Sequence, residues 1–184
     1  MAYIELGNDF PGIVGLLEYS PETAKPLLEL AETLLQGPSP LSKGDREMIA
    51  SYVSYQNNCH FCHTSHGASA AHHFGGDLSL IDDIKNDFQS TDISQKLRAL
   101  LDIAAKVQKS GREVSAEDIE IARDAGATDQ ELHDTVLIAA TFCMYNRYVD
   151  GLGTEAPEEV EAYDDMGRQM AQEGYMRERE GTSF

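Results

Sequence analysis

Residues 47–66 read EMIASYVSYQNNCHFCHTSH. Two of the three cysteines of the chain, Cys59 and Cys62, form a C-x-x-C motif in this stretch. The preceding Asn58 is a favourable N-cap, because an asparagine side-chain oxygen can accept a backbone N–H of the first helical turn. We therefore expect a helix that begins after Asn58 and carries both cysteines in its opening turn.

A cysteine in the first turn of a helix is favoured as a thiolate. The unpaired N–H groups and the helix macrodipole stabilise negative charge there, so the thiol pKa should lie below about 8.5. The i, i+3, i+4, i+7 spacing predicts that four side chains share one helix face: Cys59, Cys62, His63 and His66. Two thiols and a histidine base would then be neighbours through local geometry alone.

The pattern E-x11-C-x2-C-x3-H resembles the AhpD-like (carboxymuconolactone decarboxylase) superfamily, and more closely its peroxidase-related, or alkylhydroperoxidase, branch. The residues that form this pattern are Glu47, Cys59, Cys62 and His66. The flanking LSKGDREMIASYVS and the later TFCMYNRYVDGLGT are also similar to the family, so the resemblance covers about residues 10–155.

One position departs from the family pattern. Alkylhydroperoxidase D itself carries a histidine immediately before the second cysteine, where this chain has Phe61, with His60 one place earlier. No role is therefore transferred to a histidine at that position.

The resemblance implies an AhpD-like fold of packed helices and thiol-dependent reduction of alkyl hydroperoxides. It implies that Cys62 is the peroxide-reactive thiolate and that Cys59 donates a proton and then closes the disulfide. His66 would draw the proton from a thiol, with Glu47 orienting it or relaying the proton. The implied partners are a hydroperoxide, an unidentified thiol or protein reductant, and further copies of the chain in a trimer or hexamer. No cofactor and no metal are expected.

Composition and charge argue against several functional classes. A length of 184 residues suggests one domain over residues 1–184, with room for a substantial core. The net charge of −18 would repel phosphates, which argues against nucleic-acid binding.

No apolar run approaches the length of a membrane span, and the first twenty residues lack a signal-peptide pattern. Three cysteines without such a signal fit a reducing cytoplasm, where C-x-x-C more often serves redox or metal chemistry than a structural disulfide.

Helical periodicity and capping signals recur along the chain, and no sustained alternation predicts a strand. We therefore predict an all-α chain with an irregular lead segment over residues 1–20. Thr128 and Glu131 form a capping-box pattern before a mostly apolar helix that we expect in the core. The predicted helices cover about residues 23–36, 59–73, 78–86, 93–109, 115–126 and 130–149, and a further helix begins at Ser42. A last helix begins at Pro157 and leads into an acidic tail, both within residues 156–184.

Other interpretations of the motif residues remain open. The segment 59–63 is also a literal C-x-x-C-H, the haem c attachment signature, although such attachment normally requires export. Zinc is an alternative, but four ligands on one short helix point the same way and close a tetrahedron poorly. The cysteines could also be buried structural thiols, His66 an interior histidine, and Glu47 a solvated first-turn acid.

Two other functional classes compete with a peroxidase. One is a general dithiol–disulfide oxidoreductase, and the other is a non-enzymatic helical oligomer that senses redox state or binds metal. Cys143 lies in an apolar helix and is interpreted as a core thiol.

Overall fold

The computed structural model describes residues 2–177 and 181–182 of the chain. Over these residues the secondary structure consists of α-helices and one 3-10 turn without a strand, which confirms the all-α prediction. The helices are α1 (Gly12–Tyr19), α2 (Pro21–Leu35), α3 (Lys43–Gln56), α4 (His60–His73), α5 (Leu78–Asp87), α6 (Gln95–Lys109), α7 (Ala116–Asp124), α8 (Asp129–Gly151) and α9 (Val160–Glu173), with the 3-10 turn at Gly111–Glu113.

Two of the capping signals form as the sequence predicts. The Ser42 hydroxyl accepts the backbone N–H of Asp45 at 3.0 Å at the start of α3. At the start of α8, Thr128 accepts the backbone N–H of Glu131 at 3.2 Å, and the Glu131 carboxylate accepts that of Thr128 at 2.7 Å. These side chains satisfy N–H groups that have no partner within the helix.

Two expectations at the ends of the chain are wrong. The lead segment is not irregular throughout, because α1 forms there and buries Leu16 and Leu17. The last helix begins at Val160 and not at Pro157. The backbone ahead of α9 is instead held against the lead segment, since the Glu155 carbonyl accepts the N–H of Gly12 at 2.7 Å. The acidic tail lies partly outside the described residues.

Helix α3 lies at the centre of the bundle. It packs against α4, α6 and α8, and its side chains are buried on several sides, including Met48, Ile49 and Val53. A polar side chain in the middle of a helix that is surrounded by other helices lies in the interior. The chain uses this position for Glu47, which has no exposed surface.

Helix α4 packs closely against both α3 and α9 because its middle is built from small residues. In α9, Gly167 lies so near to this helix that an added Cβ would be 2.6 Å from Ala68. Small residues let two helix backbones approach, so this contact fixes the distance between α4 and α9.

In the described part of the chain, none of the helices has the length and apolar character that a membrane span requires.

Candidate active site

The turn between α3 and α4 places the cysteine pair. Asn58 has a positive φ of 58°, and its N–H donates to the Tyr55 carbonyl at 2.9 Å. The N–H of Cys59 donates to the Ser54 carbonyl at 3.0 Å. These two bonds form a Schellman motif, in which Asn58 occupies the left-handed position after the end of α3.

The expected capping role of Asn58 is therefore wrong by one residue. Asn58 terminates α3, and Cys59 is the N-cap residue of α4. Cys62 is the third residue of the helix, where backbone N–H groups and the helix dipole favour a negative charge. Asparagine suits both an N-cap and a left-handed turn position, which is why the sequence alone did not distinguish them.

A second asparagine ties this turn to α8. The Asn57 amide donates to Asn146 Oδ1 at 2.8 Å, and the Asn146 amide donates to the Ser54 hydroxyl at 3.0 Å. The amide of Asn57 also lies 3.6 Å from the sulfur of Cys143. Because Ser54 and Asn146 are both buried, these bonds hold the end of α3 rigidly against the long helix.

Cys59 and Cys62 are both free thiols and both buried, with exposed fractions of 0% and 4%. A hydrogen bond with Cys62 raises the pKa of the Cys59 thiol far above its ordinary value, and burial raises it further. Asp150 also hydrogen-bonds to Cys59, and burial raises the pKa of this carboxyl. The prediction of a lowered pKa in the first turn is thus wrong for Cys59, which is held as a protonated thiol.

Glu47 and His66 meet although they come from different helices. His66 Nδ1 lies 2.8 Å from Glu47 Oε2, and the side chains of the two residues are 12% and 0% exposed. A carboxylate only accepts hydrogen bonds, so the proton of this bond belongs to Nδ1 and Nε2 is the nitrogen with a free lone pair. The ring is held from the side by Phe142, edge to face at a centroid distance of 4.6 Å.

Tyr175 is a third member of this group, and sequence reasoning missed it. It follows α9, and its hydroxyl donates to Glu47 Oε1 at 2.6 Å and lies 3.2 Å from His66 Nδ1. Its ring stacks on the His66 ring with an interplanar angle of 16°. The amide of Gln36 adds a longer contact to Glu47 Oε1 at 3.4 Å. No periodic or motif signal in the sequence marks Tyr175, which lies among charged residues near the C-terminus.

Cys62 and His66 line one cavity of about 80 Å³ between α1, α2, α4, α8 and α9. Most of the wall is apolar, and the polar or charged side chains in it, besides the Cys62 thiol, are Ser65, His66, Tyr145, Tyr175 and Arg177. The apolar wall includes Ile13, Leu17, Leu27, Leu28, Phe61, Phe142, Met166 and Met170. The cavity exceeds the space needed for one water, so a small apolar molecule can approach both the thiol and the imidazole.

The remaining histidines of the motif do not join this cavity, and the prediction that His63 shares a face with His66 is wrong. The His63 ring contacts Tyr55 and His60 edge to face and lies 3.4 Å from the amine of Lys85. Burial and the nearby Lys85 lower the pKa of His63 to about 4. His63 is therefore neutral above that pH and belongs to a polar cluster beside α5.

Groups of three or more histidine, cysteine or acidic side chains arranged to hold a metal ion are absent from residues 2–177 and 181–182. Cys143 lies away from the cavity, where its sulfur is 3.9 Å from the Gln108 carbonyl.

Comparisons with known proteins point to one superfamily. A model of the carboxymuconolactone decarboxylase family matches residues 21–78, a span that contains the whole E-x11-C-x2-C-x3-H pattern. No curated protein sequence matches the chain.

Solved structures provide the wider match. A peroxidase-related protein from Silicibacter sp. TM1040 is 27% identical, with a TM-score of 0.76 over 86% of this chain and 81% of that one. An AhpD-core, peroxidase-related protein from Ralstonia eutropha JMP134 is 30% identical, with the same coverages and the same TM-score.

A third structure, from Agrobacterium tumefaciens, is a protein of unknown function proposed as an AhpD-type antioxidant defence protein. It is 22% identical, with a TM-score of 0.67 over 80% of this chain and 99% of that one, and it supports the fold alone. With its helical fold, its matched family segment and a 30% identical relative, the chain belongs to the AhpD-like carboxymuconolactone decarboxylase superfamily.

Proposed function

We propose that the chain is a thiol-dependent peroxidase that reduces alkyl hydroperoxides through Cys59 and Cys62. The observation that carries this proposal is the convergence of Cys62 and the Glu47–His66 pair on one mostly apolar cavity. The peroxidase-related relatives support the reaction class. The apolar wall favours an alkyl substrate, because transfer of alkyl surface out of water stabilises binding.

The first step forms a sulfenic acid. His66 Nε2 takes the proton of the Cys62 thiol, and the Cys62 thiolate attacks the terminal oxygen of the hydroperoxide. The O–O bond breaks, Cys62 becomes the sulfenic acid, and the alkoxide leaves. The alkoxide takes the proton of the Cys59 thiol and departs as an alcohol. The raised pKa of Cys59 keeps this thiol protonated until the strongly basic alkoxide forms.

The second step closes the disulfide. The Cys59 thiolate attacks the sulfur of the Cys62 sulfenic acid, and the hydroxide leaves as water with the proton held by His66. Two thiols and one hydroperoxide thus become one disulfide, one alcohol and one water. An external dithiol or protein thiol must then reduce the disulfide. Such a reductant is supplied by a reducing compartment, and we propose the cytoplasm.

Steady-state consumption of hydroperoxide tests this function. The reduced protein is mixed with cumene hydroperoxide, tert-butyl hydroperoxide or hydrogen peroxide, with dithiothreitol as the reductant. We expect turnover that is faster with the alkyl hydroperoxides, and its loss in Cys62→Ser. Cys143→Ser is the matched control, because this buried thiol lies outside the cavity, and it should keep the wild-type rate.

Each alternative gives a different result. Disulfide exchange with small disulfides but no peroxide consumption would identify a general dithiol–disulfide oxidoreductase. No turnover of either kind, with metal at one equivalent after purification without added metal, would favour a non-enzymatic protein. Either outcome rejects the peroxidase.

A further inference from the structure

We infer that Tyr175 is a positioning residue of the proton relay. Its hydroxyl holds the Glu47 carboxylate in the orientation that keeps the His66 proton on Nδ1 and Nε2 open to the cavity. The C-terminal segment is then part of the active site and not only a solvated tail. The inference rests on the proposed relay, and its test is chosen so that it can be read separately from peroxide turnover.

The two oxygens of Glu47 have separate partners. Oε1 accepts the Tyr175 hydroxyl at 2.6 Å, and Oε2 receives the Nδ1–H of His66 at 2.8 Å. A tyrosine hydroxyl has one proton, and the short contact to the carboxylate uses it. The Tyr175 hydroxyl and His66 Nδ1 lie 3.2 Å apart, and both donate to the Glu47 carboxylate, one to each oxygen. This arrangement fixes the rotation of the carboxylate.

The backbone around Tyr175 is held as firmly as its side chain. The N–H of Tyr175 donates to Glu32 Oε2 of α2 at 2.6 Å. The preceding Gly174 has a positive φ of 78°, and a Cβ at this position would lie 2.5 Å from the same carboxylate. Only glycine fits both the conformation and the space, so the chain turns there and directs Tyr175 inward.

Tyr175 remains a hydrogen-bond donor over the working range of pH. Only 5% of the residue is exposed, and burial, together with the charge of Glu47, raises its pKa well above the ordinary value. Besides Glu47, the charged groups that face Tyr175 are Glu32 and Arg177. Besides His66 and Tyr175, the charged or titratable groups that face Glu47 are Arg46 and His73.

The test compares Tyr175→Phe with wild type over pH. Phenylalanine keeps the ring that stacks on His66 and removes only the hydroxyl. Without that donor the Glu47 carboxylate is free to rotate, and His66 Nδ1 loses its fixed acceptor. The imidazole then takes the Cys62 proton less readily. We expect the acidic limb of the rate profile to move up by roughly one pH unit, and the rate near neutral pH to fall about tenfold.

The rate to measure is alkylation of Cys62 by iodoacetamide, located by peptide mass mapping, alongside hydroperoxide consumption. Alkylation requires the thiolate but no peroxide, so it reports on the relay even if the wild type consumes no hydroperoxide. Tyr52→Phe is the matched control, since Tyr52 is a buried tyrosine that packs on Phe88 away from the cavity. It should leave both profiles unchanged.

A purely structural role predicts another pattern. Tyr175→Phe would then lower the melting temperature while the alkylation rate and its pH profile stay at wild-type values. That result would overturn the inference, as would wild-type stability with a wild-type profile.

Discussion

The proposed base role of His66 requires the tautomer with the proton on Nδ1, and Glu47 supplies the acceptor that selects it. Their 2.8 Å contact is buried and spans two helices, so it is stronger than a surface pair would be. His66 is oriented by this carboxylate and lines the same cavity as Cys62. A base oriented in this way is a common means of activating a nucleophile.

Substitution of His66 should therefore slow peroxide reduction. We expect His66→Ala to lose on the order of a hundredfold in rate and to move the acidic limb of the pH–rate profile upward. Glu47→Gln keeps the shape but removes the charge, and should show a smaller loss of the same kind. The measurement is hydroperoxide consumption over pH, with circular dichroism to establish that each variant is folded. Wild-type rate and profile in both variants would show that the thiols work without this relay.

Residue spacing in the sequence predicted some features of the site and missed others. The spacing of the motif indicated that its residues lie together. Cys62 and His66 line the cavity, whereas Glu47 and Cys59 lie outside it and hydrogen-bond to these two residues. The spacing did not predict that His63 points towards Lys85, because i, i+4 spacing places it only near the edge of the expected face. Nor could spacing show that Cys59 would be the protonated partner, since that depends on burial and on Cys62.

At the scale of elements, the site depends on the close contact between α4 and α9. Gly167 faces the α4 backbone, where an added Cβ would lie 2.6 Å from Ala68 and 2.7 Å from the Ser69 nitrogen. Backbone atoms cannot rotate out of the way, so a larger residue must separate the helices.

We expect Gly167→Ala to lower the free energy of unfolding. Overpacking costs about 1–3 kcal/mol, which exceeds the gain of up to about 1 kcal/mol from replacing a helical glycine with alanine. Urea denaturation measures the difference. Gly151→Ala is the matched control, because a Cβ at the end of α8 meets no atom within 4 Å, and it should be neutral or stabilising. Equal stability of the two variants would contradict this account of the helix contact.

Helix positions followed well from the sequence where capping residues were present, as at Ser42 and Thr128. The predicted positions were less accurate where a helix boundary depends on hydrogen bonds to backbone groups far away in the sequence. The start of α9 is delayed because the segment before it hydrogen-bonds to the lead segment, a contact between residues far apart in the chain. The predicted boundary at Asn58 fails for a similar reason over a shorter distance. Whether Asn58 ends α3 or caps α4 depends on the backbone bonds at the end of α3.

At the scale of the whole molecule, α8 presents apolar side chains to solvent. Leu137 and Met144 lie two turns apart on one face and are 37% and 44% exposed, although the sequence led us to expect this stretch in the core. A contiguous exposed apolar patch marks a contact surface, and we propose that these two side chains belong to one. This face supports the expected homo-oligomer, a trimer or hexamer, which remains a proposal.

The oligomer prediction is tested by light scattering after size-exclusion chromatography. We expect the wild type to exceed the monomer mass and Met144→Glu to shift it downward, because a charge buried in an interface without a partner destabilises it. Val160→Glu is the matched control, since Val160 is 66% exposed at the start of α9. A monomeric wild type would contradict the oligomer prediction.

The whole molecule also explains why Tyr175 was missed. A tyrosine near a charged C-terminus has no local signal, and only the path of the chain after α9 brings it to Glu47. The sequence predicts the fold class and the motif. It does not predict that Tyr175, from a segment far along the chain, completes the site.

The most direct test is chemical trapping of the sulfenic acid after one turnover. Reduced Cys59→Ser protein is mixed with one equivalent of cumene hydroperoxide and quenched with dimedone, and the labelled residue is identified by peptide mass mapping. We predict close to one equivalent of label on Cys62 and none on Cys143. In the wild type under the same conditions we predict a Cys59–Cys62 disulfide. Label on Cys59 in the corresponding Cys62→Ser protein, with none on Cys62 in Cys59→Ser, would contradict the assignment of Cys62 as the peroxide-reactive sulfur.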